Sequence, residues 1–139
     1  MSSLFRTLLA IATVTILSAC GLTKGKEAAT KSVNTFHQQF NASKLTEIYS
    51  ASTPAFKTSV KEADFMKFIQ AVRRKLGAYK SGTQNNWRVN TFNGTTSVVL
   101  TYNSNFEQGS GVETFTFILS GETAILQGYN VNSPTLIIN

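Results

Sequence analysis

Residues 97–120, SVVLTYNSNFEQGSGVETFTFILS, decide the fold, because apolar and polar side chains alternate along two runs that a glycine-rich break separates. Such alternation is typical of β-strands with one buried face. The pattern extends in both directions and predicts four strands, at 78–91, 97–107, 112–120 and 123–131. Three segments supply the turns between them: Asn93-Gly94, 108–111 and Gly121-Glu122. Consecutive strands joined by short turns pair antiparallel, so a four-stranded meander is expected.

One face of this predicted sheet is apolar and needs a cover. Its members on the two central strands are Val98, Leu100, Tyr102, Phe106, Phe115, Phe117 and Leu119. Upstream, apolar residues recur at helical spacing in 26–40 and again from Phe65 to Leu76, where Gly77 ends the helix. A sheet with one apolar face and helices with one apolar stripe pack as two layers. The predicted fold is therefore α+β, with N-terminal helices packed on a curved four-stranded antiparallel sheet.

Shorter signals refine the helical layer. A second helix is predicted at 45–50, with Ser43 as its N-cap, followed by a loop that contains Pro54. The segment 59–62, SVKE, matches a capping box at the start of the last helix. The C-terminal residues 136–138 are expected to tuck against a sheet edge or to extend the last strand.

The first twenty residues read as an export signal. Arg6 precedes an apolar run at 8–17, and Leu17-Ser18-Ala19-Cys20 matches the lipobox of bacterial lipoproteins. The run makes a helix of about 15 Å, half the thickness of a hydrocarbon core, which favours a cleaved signal over a membrane span. We interpret 1–19 as a signal peptide cleaved between Ala19 and Cys20. The alternative is an ordinary secretory signal that happens to contain the chain's single cysteine.

A lipobox implies lipid attachment at Cys20 and an envelope location. In bacterial lipoproteins generally, a thioether joins this sulfur to a diacylglyceryl group, and the new amine can receive a further acyl chain such as palmitate. Residues 20–25 are then the lipidated cysteine and a short tether, and 26–139 form a single domain. Gly21 follows the cysteine where an aspartate would favour inner-membrane retention. The expected location is the outer membrane, facing the periplasm.

The charge distribution and the composition limit the kinds of partner that can be expected. Between residues 20 and 88 there are twelve Lys or Arg and four acids, whereas 89–139 carry three acids and no basic residue. The basic half is the half next to the predicted anchor, where it can meet anionic head groups. The chain has no nucleic-acid motif, so no nucleic-acid partner is expected. With one histidine and no cysteine beyond Cys20, no metal site and no cofactor are expected either.

The order of elements and several positions resemble small bacterial lipoprotein families of unknown function with a cystatin-like cone, distantly similar to nuclear-transport-factor-like domains. The residues that carry the resemblance are Phe40, Ile48-Tyr49, Phe56, Phe65, Arg74, Leu76-Gly77, Tyr102, Phe106, Glu113-Thr114 and Gly128-Tyr129. Such families usually place a tryptophan four residues before the closing glycine, where this chain has Ala124, so Trp87 or Phe106 is expected to fill the core there. The resemblance implies a fold and no assigned activity.

Three residues are candidates for chemistry inside the cone: Glu113, His37 and Tyr102. Related cone folds include enzymes that use a buried carboxylate or histidine with a tyrosine donor. The competing interpretations are structural. His37 can be a helix-flank residue with an ordinary hydrogen bond, and Glu113 can pair with Arg74 or Arg88 or form a simple structural hydrogen bond.

Two classes of function follow. The favoured one is a non-catalytic envelope lipoprotein that binds another envelope protein or a small apolar ligand. The alternative is a small enzyme or ligand-binding protein that uses the cone pocket, with Glu113 or His37 and a tyrosine.

Overall fold

The computed structural model describes residues 2–138, and it describes side chains from Cys20 to Ile138. Side chains of the predicted signal peptide, 1–19, therefore lie outside the described residues. The elements in chain order are α1 (Ser2–Asn41), α2 (Leu45–Ser50), α3 (Pro54–Ser59), α4 (Glu62–Leu76), β1 (Tyr79–Phe92), β2 (Thr95–Phe106), β3 (Gly109–Ser120), β4 (Thr123–Asn132) and α5 (Pro134–Ile137). The strands form one open antiparallel sheet in the order β1-β2-β3-β4. This confirms the predicted α+β arrangement.

The core lies between the apolar face of the sheet and the stripes of α1 and α4. Helix α1 contributes Ala29, Val33, Phe36 and Phe40, and α4 contributes Phe65, Ile69, Val72 and Leu76, all of them buried. The predicted helical spacing is therefore confirmed for both long helices. Gly77 ends α4 with φ at 75°, a left-handed conformation that glycine adopts without strain. None of the helices in the described part of the chain is both long and apolar enough to cross a membrane.

Helix α1 includes the segment predicted to be a tether. Residues 21–25 are helical, and Gly25 is buried against the sheet. A Cβ atom at Gly25 would lie 3.0 Å from Leu119 Cδ1 and 3.8 Å from Val98 Cγ2. The small size of glycine lets the helix backbone approach the sheet closely at this point. The tether prediction is wrong for these residues, because the packed domain begins at Gly25 at the latest.

The second turn of the sheet lies earlier in the chain than predicted. The chain reverses at Glu107 and Gln108, whose amides donate to the carbonyl oxygens of Ala78 and Leu76. Gly109 and Gly111 belong to β3. A Cβ atom at Gly111 would lie 2.9 Å from the backbone oxygen of Asn132, so glycine serves close strand approach there.

Three local predictions in the helical layer are wrong. Ser43 does not cap α2; it has a positive φ, and its hydroxyl accepts a hydrogen bond from Arg73. The predicted loop at Pro54 is helix α3, because Pro54 stands at the first helical turn and the Thr53 hydroxyl caps the Phe56 amide. Ser59 ends α3 and donates to the Ala55 carbonyl, so it forms no capping box.

The C-terminus agrees with expectation in part, because Leu136 packs against the core and α5 contacts β3, and the only tryptophan differs from it. Residues after Ser133 form the short helix α5, and Ile137 and Ile138 are each 78% exposed. Trp87 is 44% exposed beside the Lys26 ammonium, which lies 5.1 Å from its ring centroid, so it does not fill the core. Phe106 is buried, but it pairs with Gly109, at the end of the sheet opposite the Leu119–Ala124 pair, so it does not fill the core there either.

Candidate functional site

The centre of the molecule contains a fully buried carboxylate. Glu113 lies in the middle of β3 with no exposed surface, on the apolar side that strand alternation assigns to it. Its Oε2 atom lies 2.7 Å from His37 Nε2 and accepts a hydrogen bond of 2.8 Å from the Ser104 hydroxyl. Its Oε1 atom accepts a hydrogen bond of 2.7 Å from the Tyr129 hydroxyl. The side chain therefore joins α1, β2, β3 and β4.

His37 holds the helical side of this cluster. It lies one turn after Val33 in α1 and is buried. Its ring stacks on that of Tyr79, with centroids 3.5 Å apart and planes 7° apart, and it meets Phe115 edge-on at 5.6 Å. Aromatic contacts on two sides thus hold the ring in the position from which Nε2 contacts the carboxylate. Sequence reasoning named His37 and Glu113 separately, and the structure brings them together.

Of the structural alternatives, the arginine pairing of Glu113 and the helix-flank position of His37 are wrong, whereas ordinary hydrogen bonds to Glu113 are present. Glu113 does not pair with Arg74, which is exposed on α4, or with Arg88, which is exposed and lies beside Val99 in the β1–β2 register. Val99 and Val98 point to opposite faces of the sheet, so Arg88 lies on the face away from Glu113. His37 is not a helix-flank residue either, since it faces the sheet.

The tyrosine bonded to Glu113 is Tyr129 and not the predicted Tyr102. Tyr102 lies directly opposite Glu113 in the β2–β3 register and is buried, yet among the hydrogen bonds of the described residues none links the two. Sequence reasoning missed Ser104 as well. Alternation could have found it, because Ser104 shares its strand face with Tyr102 and Phe106.

The buried carboxylate changes the titration of the surrounding phenols. Burial raises the pKa of Tyr129 well above its usual 10.0, and the charge of Glu113 and its hydrogen bond raise it further. Burial and the same charge also raise the pKa values of Tyr79 and Tyr102, the latter against a hydrogen bond with Thr30 that lowers it. These hydroxyls therefore keep their protons through the physiological range, and that of Tyr129 donates to the carboxylate.

We expect alkaline pH to remove the stability that Tyr129 contributes. A raised folded-state pKa means that this stability is present below the unfolded value of 10.0 and is lost as pH rises through the folded pKa. Near pH 8, Tyr129→Phe should lower the free energy of unfolding by roughly 1.5–3 kcal/mol, the worth of a hydrogen bond to a charged group. Urea titrations of both proteins should show this difference shrinking above about pH 10. A difference that stays constant to higher pH would contradict the assignment.

The two largest surface clefts do not include the His37–Glu113 pair. A groove of about 620 Å³ is lined by Asn103, Ser104, Asn105, Ser110, Gly111, Val112, Asn132, Pro134, Ile137 and Ile138. A second cleft, of about 440 Å³, lies between the start of α1 and the β3–β4 turn. Neither is lined by His37 or Glu113, and only Ser104 touches both the groove and the buried carboxylate. In the part of the chain that the structure describes, no group of histidine, cysteine and acidic residues is arranged to hold a metal.

The fold and its centre define a small α+β domain in which an N-terminal helix is bonded to an antiparallel meander through a buried histidine–glutamate pair. The model of the DUF4019 family, proteins of unknown function, matches residues 32–129, and the chain belongs to this family. The match runs from α1 to β4 and includes His37, Glu113 and Tyr129. No curated protein matches the chain.

Proposed function

We propose that this protein is a bacterial envelope lipoprotein that presents a non-catalytic binding domain at a membrane surface. Cys20 carries the lipid, and the domain, which we assign to the cystatin-like cone folds from its helix-first order and four-stranded meander, recognises a partner. The location that we propose is the periplasmic face of the outer membrane. The partner is another envelope protein or a small apolar ligand.

The observation that carries the non-catalytic assignment is the saturation of Glu113. A general acid or base must come within hydrogen-bond reach of its substrate. Glu113 is fully buried, and its two oxygens already accept from His37, Ser104 and Tyr129. Among the described side chains, no buried nitrogen or oxygen lacks a partner. The cluster is thus complete in itself, which favours a role in holding α1 on the sheet.

The groove of about 620 Å³ supports a binding role. Its lining combines asparagine amides with the apolar side chains of Val112, Ile137 and Ile138, and it contains no charged residue. Gly111 in the groove and Leu119 beside Gly25 are eight residues apart in β3, about 26 Å along the strand. The groove therefore lies at the end of the domain opposite Cys20, where a partner can reach it without meeting the membrane.

Crosslinking in intact cells tests this assignment. Wild type should give a discrete adduct, and Ile137→Asp should abolish it, because a charge in this uncharged lining costs desolvation on binding. Asn90→Asp is the matched control, since it adds the same charge at an exposed position of β1 outside the groove. If the partner is a small apolar ligand, the gently purified wild type should carry its mass. The Ile137→Asp protein should lack this mass, and the Asn90→Asp protein should keep it. Wild type with neither adduct nor ligand, or adducts that Ile137→Asp leaves unchanged, would refute the proposal.

A further inference from the structure

The segment of α1 from Cys20 to Gly25 leaves no flexible linker between the proposed anchor and the domain. Cys20 is exposed, and five helical residues later Gly25 is buried against Val98 and Leu119. Five residues of α-helix rise about 8 Å. If Cys20 carries lipid, as the proposed function requires, the sheet end beside Gly25 lies within this short distance of the head groups. The domain is then held against the bilayer and does not hang on a stalk.

The tip of the β1–β2 hairpin lies at the same end of the sheet as Cys20. In a meander the first and third turns lie at one end of the sheet, so Asn93-Gly94 and Gly121-Glu122 share the end at which α1 approaches. Val89 pairs with Val98, the residue beside Gly25, and Phe92 follows three residues later. Three residues of strand advance about 10 Å, and the helix rises about 8 Å from Gly25 back to Cys20.

Two large apolar side chains are exposed at this end. Phe92 is 73% exposed at the hairpin tip, and Leu22 is 47% exposed one turn before the buried part of α1. Neither side chain belongs to the hydrophobic core. Aromatic and leucine side chains in such positions are typical of segments that lie in the boundary between head groups and acyl chains.

The charges of the same half of the domain suit an anionic surface. The segments nearest this end carry Lys24, Lys26 and Lys31 on α1 and Arg88 on β1, with the acids Glu27 on α1 and Glu122 in the β3–β4 turn. A surplus of basic residues near a bilayer is attracted to anionic lipids. Apolar tips and basic flanks on one end favour a lipid surface over a protein partner for this end.

We propose that Phe92 and Leu22 insert into the head-group region of an anionic bilayer and form a second membrane contact beside lipidated Cys20. One anchor point leaves a domain free to rotate about it, whereas several separated points fix its orientation. The orientation that results directs the groove with Val112 and Ile137 away from the membrane.

The position of the single tryptophan permits a direct test in the full-length protein. Trp87→Phe removes the native fluorophore, and Phe92→Trp or Ile137→Trp then adds one at either end of the domain. Both proteins are reconstituted in phosphatidylcholine–phosphatidylglycerol vesicles, with or without bromine on the acyl chains. Side chains at interfacial depth should be quenched, so emission of the Phe92→Trp protein should fall by about half or more, and that of the Ile137→Trp control should stay unchanged.

The mass of each purified protein separates this proposal from the one on which it rests. If Cys20 carries lipid and the Phe92→Trp emission is no more quenched than the control, the membrane contact of Phe92 is refuted and the anchor stands. Equal quenching at both ends also refutes the proposed orientation. If Cys20 carries no lipid, the proposed function fails and this inference fails with it. Phe92→Trp and Ile137→Trp replace strongly exposed side chains, so the fold should tolerate them.

Discussion

Replacement of Glu113 by alanine should lower the free energy of unfolding by about 3–5 kcal/mol, a large loss of the kind that follows from breaking a buried hydrogen-bond network. The substitution removes the common acceptor of His37, Ser104 and Tyr129 and leaves their polar atoms in an apolar interior. It also opens a cavity, because the Glu113 side chain is among the largest of the fully buried ones. Small domains are stable by only about 5–15 kcal/mol, so this variant should be close to unfolding at room temperature.

A double-mutant cycle with His37→Ala tests whether the two side chains act as a pair. Once one partner is gone, removal of the other should cost less, so the double variant should be more stable than the sum of the two losses predicts by about 1–3 kcal/mol. Glu122→Ala, at an exposed turn, is the control and should change stability by no more than about 0.5 kcal/mol. Additive losses in urea unfolding, or a Glu113→Ala variant as stable as wild type, would contradict the central role of this carboxylate.

Replacement of Cys20 by serine should abolish lipid attachment completely, because no other cysteine is present to form the thioether. In cells that express the protein from its own first codon, wild type should incorporate labelled palmitate and fractionate with membranes. The Cys20→Ser protein should incorporate none. Two or three acyl chains hold a protein on a bilayer almost permanently at about 0.8 kcal/mol per buried methylene, so the effect is all or none.

The matched control for this experiment is Lys24→Ala, an exposed position in the next turn of α1 that leaves the sulfur in place. It should be labelled like wild type. The mass of the N-terminal peptide of wild type should correspond to a chain that begins at a lipid-bearing Cys20. Unlabelled wild type would refute the anchor, and label that persists in Cys20→Ser would place the lipid on another residue.

Periodic patterns predicted most of the fold because they report burial, which the fold itself requires. Four strands, the β1–β2 and β3–β4 turns, helix α4 and the C-terminal end of α1 lie close to the predicted positions, whereas α1 begins at Ser2 and not at residue 26. The errors are local and arise where a side chain has several available partners. Ser43 can cap a helix or bind an arginine, and its choice depends on Arg73, thirty residues later. Residues 21–25 resemble a tether in composition, and no local pattern shows that Gly25 packs against Leu119 and Val98.

The centre of the molecule could be predicted only in part. Alternation along β3 places Glu113 on the apolar side, and helical spacing places His37 beside the stripe of α1. Neither pattern indicates which charged group meets the other, because that depends on how the helix lies across the sheet. The arginines looked equally suitable by charge, but Arg74 lies on the exposed surface of α4 and Arg88 on the other face of the sheet. Tyr129 required the β3–β4 register, which a bulge between Phe117 and Thr116 shifts.

The pairing of His37 with Glu113 spans 76 residues, and this separation has a consequence for how the chain folds. The helix leaves the ribosome or an export channel first, while the strands that cover its apolar stripe come last. Contacts at long sequence separation form slowly, since the loop that closes them costs entropy before any contact compensates. The N-terminal helix contacts α2, β1 and β2 as well, but its apolar stripe is fully covered only when β3 and β4 have emerged. Partial chains that end before β3 should remain unfolded, so the completed C-terminus sets the moment at which the domain becomes stable.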